Sequence, residues 1–118
     1  MQHIRWSDVE VEHLNPLLDR QYFSTPAVTL ARFRLRQGAV VPMHSHHNEQ
    51  LSWVKEGAVR FTFSDGEPIV VRRGEMLSIP PNAPHQAEAL EESQVIDVFI
   101  PARADWASHA DDYLRGPK

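Results

Sequence analysis

Residues 38–57 read GAVVPMHSHHNEQLSWVKEG, from Gly38 to Gly57, and the meaning of this stretch turns on whether the chain is extended there. In a strand alternate side chains share a face, so His44 and His46 project together and can grip one ion. On a helix the same spacing would part the two rings by about 200°. The flanks favour a strand, with Pro42 just before the pair and Trp53, Val54, Val59, Phe61 and Phe63 soon after. Because neutral imidazole is the commonest protein metal ligand, the stretch reads as half of a metal site; a solvated histidine loop is the competing reading. The alternation turns His47 to solvent and sets Glu49 away from a face that includes Gln50, leaving Glu49 as a minor alternative ligand.

Outward from this stretch the pattern is of short strands. Residues 27–36 alternate and turn at Gln37-Gly38; Leu51–Lys55 and Ala58–Phe63 follow, parted by Glu56-Gly57. Ser64-Asp65-Gly66-Glu67 marks a hairpin, Ile69–Arg72 returns, and Met76–Ile79 runs into PPNAPH, Pro80 to His85. A segment to Ala89, an acidic turn and the strand Gln94–Ile100 complete the series. Strands of this length with evenly spaced turns predict an all-β, antiparallel sandwich or small barrel. Before it, residues 1–26 read as an extended N-terminal arm with one short strand, broken at Asn15-Pro16. After it, residues 102–118 read as a helical tail, with Trp106, Ala107, Ala110, Tyr113 and Leu114 spaced for one face. The expected organisation is therefore arm 1–26, barrel 27–101 and tail 102–118.

Composition narrows the chemistry. A chain of 118 residues can build one core. It has no cysteine, so disulfides, thiol nucleophiles and Cys-ligated zinc are excluded and any metal must be held by His, carboxylate or amide groups. The formal charge is -4 and the basic residues are scattered, which argues against nucleic acid as a partner. Arg32, Arg34 and Arg36 alternate with Ala31, Phe33 and Leu35, the pattern of a strand's solvent face. Neither a charged-then-apolar leader nor a long uncharged run is seen, so no membrane segment is expected and the cytoplasm is the default location.

Gly74, Pro80, Asn82 and His85 supply the second half of the site. Gly38, five residues, His44-Ser45-His46, three residues, Gln50, six residues and Gly57 make one spaced motif; Gly74, five residues, Pro80-Pro81-Asn82, two residues and His85 make another. Together they resemble the two motifs of the cupin superfamily, over roughly residues 27–101. The resemblance implies a double-stranded β-helix, or jelly-roll barrel, enclosing one divalent metal held by His44, His46, Gln50 and His85. Three imidazoles and an amide suit Ni, Fe, Mn or Zn. The sequence departs from the family at Gln50, where most members have Glu, at Asn82, where they have Gly, and at Ala89, where Asn is frequent. Asn is the non-glycine residue that best accepts a left-handed turn. Gln50 leaves the site one unit more positive, which favours an anionic ligand and a Lewis-acid role.

HSHHNEQ taken with IDVFIPARADW, residues 96–106, resembles more narrowly the small cupins of pectin and alginate breakdown that linearise 4,5-unsaturated uronates. That resemblance implies Asp97 as acid/base and Arg103 as anchor for a substrate carboxylate. The residues bear on this themselves: Val95, Asp97 and Phe99 share one strand face and Ile96, Val98 and Ile100 the other. If the first face lines the barrel, burial raises the Asp97 pKa toward a useful range; if the second does, Asp97 is only solvated. For Arg103 a surface salt bridge is the alternative. The leading function is a metal-assisted isomerase acting on an anionic sugar acid. An iron-dependent dioxygenase and a non-enzymatic sugar- or metabolite-binding module are the alternatives. A homodimer is expected, with Trp6, the Arg32 to Arg36 strand, Trp106 and Tyr113 as available surface.

Overall fold

The structure is a computed structural model and describes residues 1–115. Ten strands form two antiparallel sheets that face one another. Strands β1 (Glu12–Asn15), β2 (Leu18–Ser24) and β3 (Thr29–Leu35) precede the histidine stretch, and β4 (Val40–His44) and β5 (Glu49–Glu56) frame it. They are followed by β6 (Ala58–Phe63), β7 (Ile69–Arg72), β8 (Met76–Ile79), β9 (His85–Ala89) and β10 (Ser93–Ile100). One sheet has the order β1-β2-β3-β10-β5-β8 and the other β4-β9-β6-β7. Consecutive strands repeatedly lie in opposite sheets, which makes this a jelly-roll sandwich.

Alternation builds the interior. In β3, Ala31, Phe33 and Leu35 point inward while Leu30 and Arg34 are exposed; in β10, Val95, Asp97 and Phe99 point inward. Val59, Phe61, Val71, Val54 and Ile79 meet them from the other strands, each fully buried side chain being worth about 1.5–3 kcal/mol. Between β5 and β6 the turn needs Gly57: its φ is +88°, and a Cβ there would overlap Ser93 Oγ and the Glu92 carbonyl.

Both ends of the chain differ from expectation. The region 1–26 carries two strands where one short strand in an arm was expected, and β2 pairs with β3 along its whole length, from Leu18↔Leu35 to Ser24↔Thr29. The barrel therefore starts before residue 27. The tail is a single helical turn, α1 (Ala104–Ala107), and a 3₁₀ turn at Asp112–Leu114, with residues 116–118 outside the described part. His109, at φ +61°, breaks the run between them, and a short isolated helix has little intrinsic stability. Trp106 and Leu114 are buried in the core while Ala107 and Ala110 are exposed. Trp106 is thus no dimer surface. No helix among the described residues is long and apolar enough to cross a membrane.

Candidate metal centre

The two sheets bring the sequence-selected residues to one end of the interior. His44 closes β4 and His85 opens β9, and the two are cross-strand partners, their ring centroids 4.4 Å apart. His46 lies in the irregular segment beyond β4, just before a bend at His47 and Asn48, and not in the strand itself; its ring packs 5.5 Å from that of His44 and 5.2 Å from that of His85. The turn at Asn82 fastens the two motifs together: its φ is +65°, and its N–H donates to the His46 carbonyl at 2.8 Å. Gln50 and Ser52 reach in from β5 and Asp97 from β10, in the opposite sheet, where Asp97 and Ser52 are paired. Glu49 and His47 are exposed.

One ligand nitrogen from each of His44, His46 and His85 lies within 4.8 Å of the others. Donors on opposite sides of one ion stand about 4.2 Å apart, so small ring rotations suffice to close on it. Each Nδ1 faces a nearby backbone carbonyl: Pro42 for His44 at 2.7 Å, Asn48 for His46 at 3.1 Å and Ala83 for His85 at 2.8 Å. A carbonyl only accepts, so Nδ1 carries the proton and Nε2 presents its lone pair. Burial lowers the pKa of His44 and of His46 to about 4, and burial lowers that of His85, the Arg103 charge adding to each effect. All three rings are neutral at pH 7, as ligation requires.

Two further observations fit a cation. His85 Nε2 is buried with no hydrogen-bond partner among the described residues, a costly state for a polar atom. His46 Nε2 lies 3.0 Å from Gln50 Oε1; with Nδ1 protonated, two acceptors face each other there, and a cation between them removes the conflict. The orientation of Gln50 follows from its other end, since its Nε2 donates to Ser52 Oγ at 3.0 Å and Ser52 donates to Asp97 Oδ1 at 2.6 Å. His44, His46, Gln50 and His85 would thus hold a divalent ion, and the absence of thiolate leaves Ni, Fe, Mn and Zn all acceptable.

Asp97 is 7% exposed. Burial raises its pKa to about 6, against the opposing pull of Ser52, Arg103 and Gln50. Arg103 is 3% exposed rather than a surface group. Its Nε and Nη2 donate to the Asp105 carboxylate at 2.8 and 2.7 Å, and Nη2 also donates to Tyr113 Oη at 2.7 Å. The guanidinium lies over Phe99 at 4.7 Å and Trp106 at 4.6 Å. A cavity of about 50 Å³ is bounded by His44, Gln50, His85, Asp97 and Arg103 together with Phe99, Trp106 and Tyr113.

The family model described as a cupin domain matches residues 31–100. The chain belongs to the cupin family. Among solved structures, an RmlC-like cupin from Shewanella frigidimarina is 28% identical with a TM-score of 0.81, over 90% of this chain and 96% of that one. KdgF from Halomonas sp. is 29% identical with a TM-score of 0.77, over 85% and 94%. Oxalate decarboxylase from Bacillus subtilis, a protein with Mn(II) centres, is 21% identical with a TM-score of 0.73; the match spans 83% of this chain but 29% of that one and shows a shared fold. No curated protein matches the chain. The small-cupin resemblance stated from the sequence stands, and the histidine triad makes this a metal-binding cupin.

The sequence reading gave Ser52 and Asn48 no part in the site, left Phe99 with Asp97 on a face of open direction, and set Tyr113 on a dimer surface. Asn48 is 1% exposed and its Nδ2 donates to the Pro101 carbonyl at 2.6 Å, which ties the bend after His46 to the end of β10. Phe99 carried a signal, since it shares the inward face of Asp97; it packs 5.6 Å from His46. Tyr113 and Asn48 carried none, because their partners are distant in sequence.

Proposed function

We propose that this cupin is a metal-assisted isomerase that opens cyclic 4,5-unsaturated uronates to the linear keto form. The observation that carries the reading is a buried carboxyl, Asp97, joined through Ser52 and Gln50 to the histidine cluster and sharing its cavity with a guanidinium, Arg103. The likeness of HSHHNEQ and IDVFIPARADW to small uronate-linearising cupins supports it, as does the structural likeness to KdgF. A bound divalent ion supplies Lewis-acid polarisation of a substrate oxygen. Arg103 holds the carboxylate by charge-assisted hydrogen bonds. Asp97, with a pKa of about 6, exists in both protonation states near neutral pH, as an acid/base group requires. As the ring C–O bond of the hemiacetal breaks, Asp97 takes the anomeric hydroxyl proton, leaving an aldehyde and an enolate; Asp97 then returns that proton to the enolate carbon and a ketone results. Atoms balance within an isomerisation, and no oxidant is consumed.

The test is loss of the ultraviolet absorbance of 4,5-unsaturated galacturonate with metal-loaded protein, against a His44→Ala control. Metal-dependent loss under anaerobic conditions with zinc supports the reading and excludes oxygen chemistry; no loss with Ni, Fe, Mn or Zn overturns it. The expected homodimer is proposed on a different face from the one read in the sequence. Register sets Leu30, Val98 and Leu51 in one row and Ile96, Trp53 and Met76 in the next on the outer side of the larger sheet, with Leu30, Leu51, Trp53 and Met76 exposed. A contiguous apolar patch marks a contact surface, and a second copy meets it isologously. A monomer in light scattering at micromolar concentration, or a dimer untouched by Trp53→Glu, overturns this.

A further inference from the structure

Tyr113 occupies a position in this site that neither motif announces. It belongs to the 3₁₀ turn Asp112–Leu114, nearly seventy residues beyond His44, yet its ring lies 4.7 Å from that of His44 at an interplanar angle of 32°. It is half-exposed and lines the cavity, so it stands between the interior and solvent. A cavity of about 50 Å³ has room for water but not for a sugar ring, so a sugar acid must be received at the mouth, where His44 and Tyr113 are the half-buried polar groups of the lining.

The hydrogen-bond inventory there is incomplete in an informative way. A guanidinium can only donate, so Tyr113 Oη accepts from Arg103 Nη2. Its own proton has no acceptor among the described residues. Arg103 Nη1 likewise has no partner among the described residues, while Nε and Nη2 are committed to Asp105 and Tyr113. Two unused donors, one phenolic and one cationic, therefore sit beside each other on groups 2.7 Å apart, next to a neutral histidine cluster. That is the complement of a carboxylate, whose two oxygens only accept.

We propose that Tyr113 is a ligand-binding residue of this site, its hydroxyl and Arg103 Nη1 together receiving the carboxylate of a sugar acid. The assignment rests on the uronate reading and deepens it, and the C-terminal tail becomes part of the recognition surface. Removing the hydroxyl takes away one hydrogen bond to a charged group while the ring stays over His44.

The test is calorimetric binding of D-galacturonate and of its methyl ester to zinc-loaded protein, wild type against Tyr113→Phe, with zinc content and melting temperature checked in both. The expected result is that wild type binds the acid in preference to the ester and that Tyr113→Phe loses about tenfold in affinity for the acid alone. Equal affinity in the two proteins, an equal loss for acid and ester, or no preference for the acid in wild type overturns the proposal. Selective, Tyr113-dependent binding without turnover of the unsaturated uronate retires the isomerase reading and leaves this one in place. Turnover whose KM and kcat are unchanged in Tyr113→Phe does the reverse.

Discussion

Two guanidinium groups flank the buried ring of Trp106, Arg20 at 4.4 Å and Arg103 at 4.6 Å, and they are 1% and 3% exposed. Residue type, burial and aromatic neighbour are the same. Their surroundings are not. Arg20 on β2 is closed in by acids, Nη2 on Asp111 at 2.8 Å and Nε on Glu12 at 3.0 Å, with Asp111 itself 1% exposed. Arg103 is balanced on one side by Asp105 and opens on the other to the cavity and Asp97. Arg20 ties the tail to β2 across 91 residues of sequence; Arg103 keeps binding capacity for something else. Arg20 Nη1 also lacks a partner among the described residues, but it is buried; a buried arginine is thus a latch or a receptor according to whether its spare edge is enclosed or opens on a cavity.

The largest effect expected on the receptor side is at Asp97. Asp97→Asn keeps the shape and the Ser52 contact but cannot exchange a proton. Turnover of 4,5-unsaturated galacturonate should fall by about 10²–10⁴-fold while metal content is unchanged. Retained turnover removes Asp97 from the chemistry and makes the Arg103 side as structural as the Arg20 side.

On the latch side the matching change is Asp111→Ala. It leaves Arg20 buried with Glu12 as its remaining acid, and removal of one partner of a buried pair costs about 3–5 kcal/mol. A melting temperature lowered by many degrees is expected, together with easier proteolysis of the tail. An unchanged melting temperature breaks the comparison, because Arg20 would then not be latching anything.

The buried carboxyl also gives stability a pH dependence. The Asp97 pKa is about 6 in the folded protein against 3.8 for a freely solvated aspartate; a raised folded value means stability is fully present below the unfolded pKa and is lost as pH rises through 6. About two units correspond to about 3 kcal/mol. The difference in unfolding free energy between metal-free Asp97→Asn and wild type should therefore grow between pH 4 and pH 8, in favour of the variant. A difference that stays flat across that window means Asp97 is not held in an apolar setting.

The readability of the chain divides along the same line. Strands such as β3, β5 and β10 were legible because their buried faces alternate, whereas the direction of Asp97 stayed open in the sequence, since Ile96, Val98 and Ile100 offered the other face an equally apolar row. The four residues singled out as ligands lay in two spaced motifs, and three of them form the histidine cluster. Strand β2 was not legible, because its buried residues include Asp19, Arg20 and Gln21. They are satisfied by distant partners: Gln21 donates to the Trp6 and Val9 carbonyls, and Arg20 meets Asp111. Hydrophobic periodicity has nothing to register there. In the tail the apolar spacing was present but the positive φ at His109 was not foreseeable, so a helical face was expected where a fold-back occurs and Tyr113 was set on the outside.

The smallest effect is the one that separates the two arginines most directly. Lysine keeps the charge but not the planar fork, so Arg103→Lys can meet Asp105 or a ligand carboxylate but not both with matched geometry. KM for the unsaturated uronate should rise about tenfold, or about 1.4 kcal/mol, with kcat little altered, because the ligand is held less well while Asp97 is untouched. Arg20→Lys should show the opposite balance. It loses the simultaneous contacts to Asp111 and Glu12, so the melting temperature falls, and KM shifts only as far as a loosened tail moves Tyr113. If both variants lose stability equally and neither moves KM, the two guanidinium groups are the same device used twice, and the cavity beside Arg103 needs another explanation.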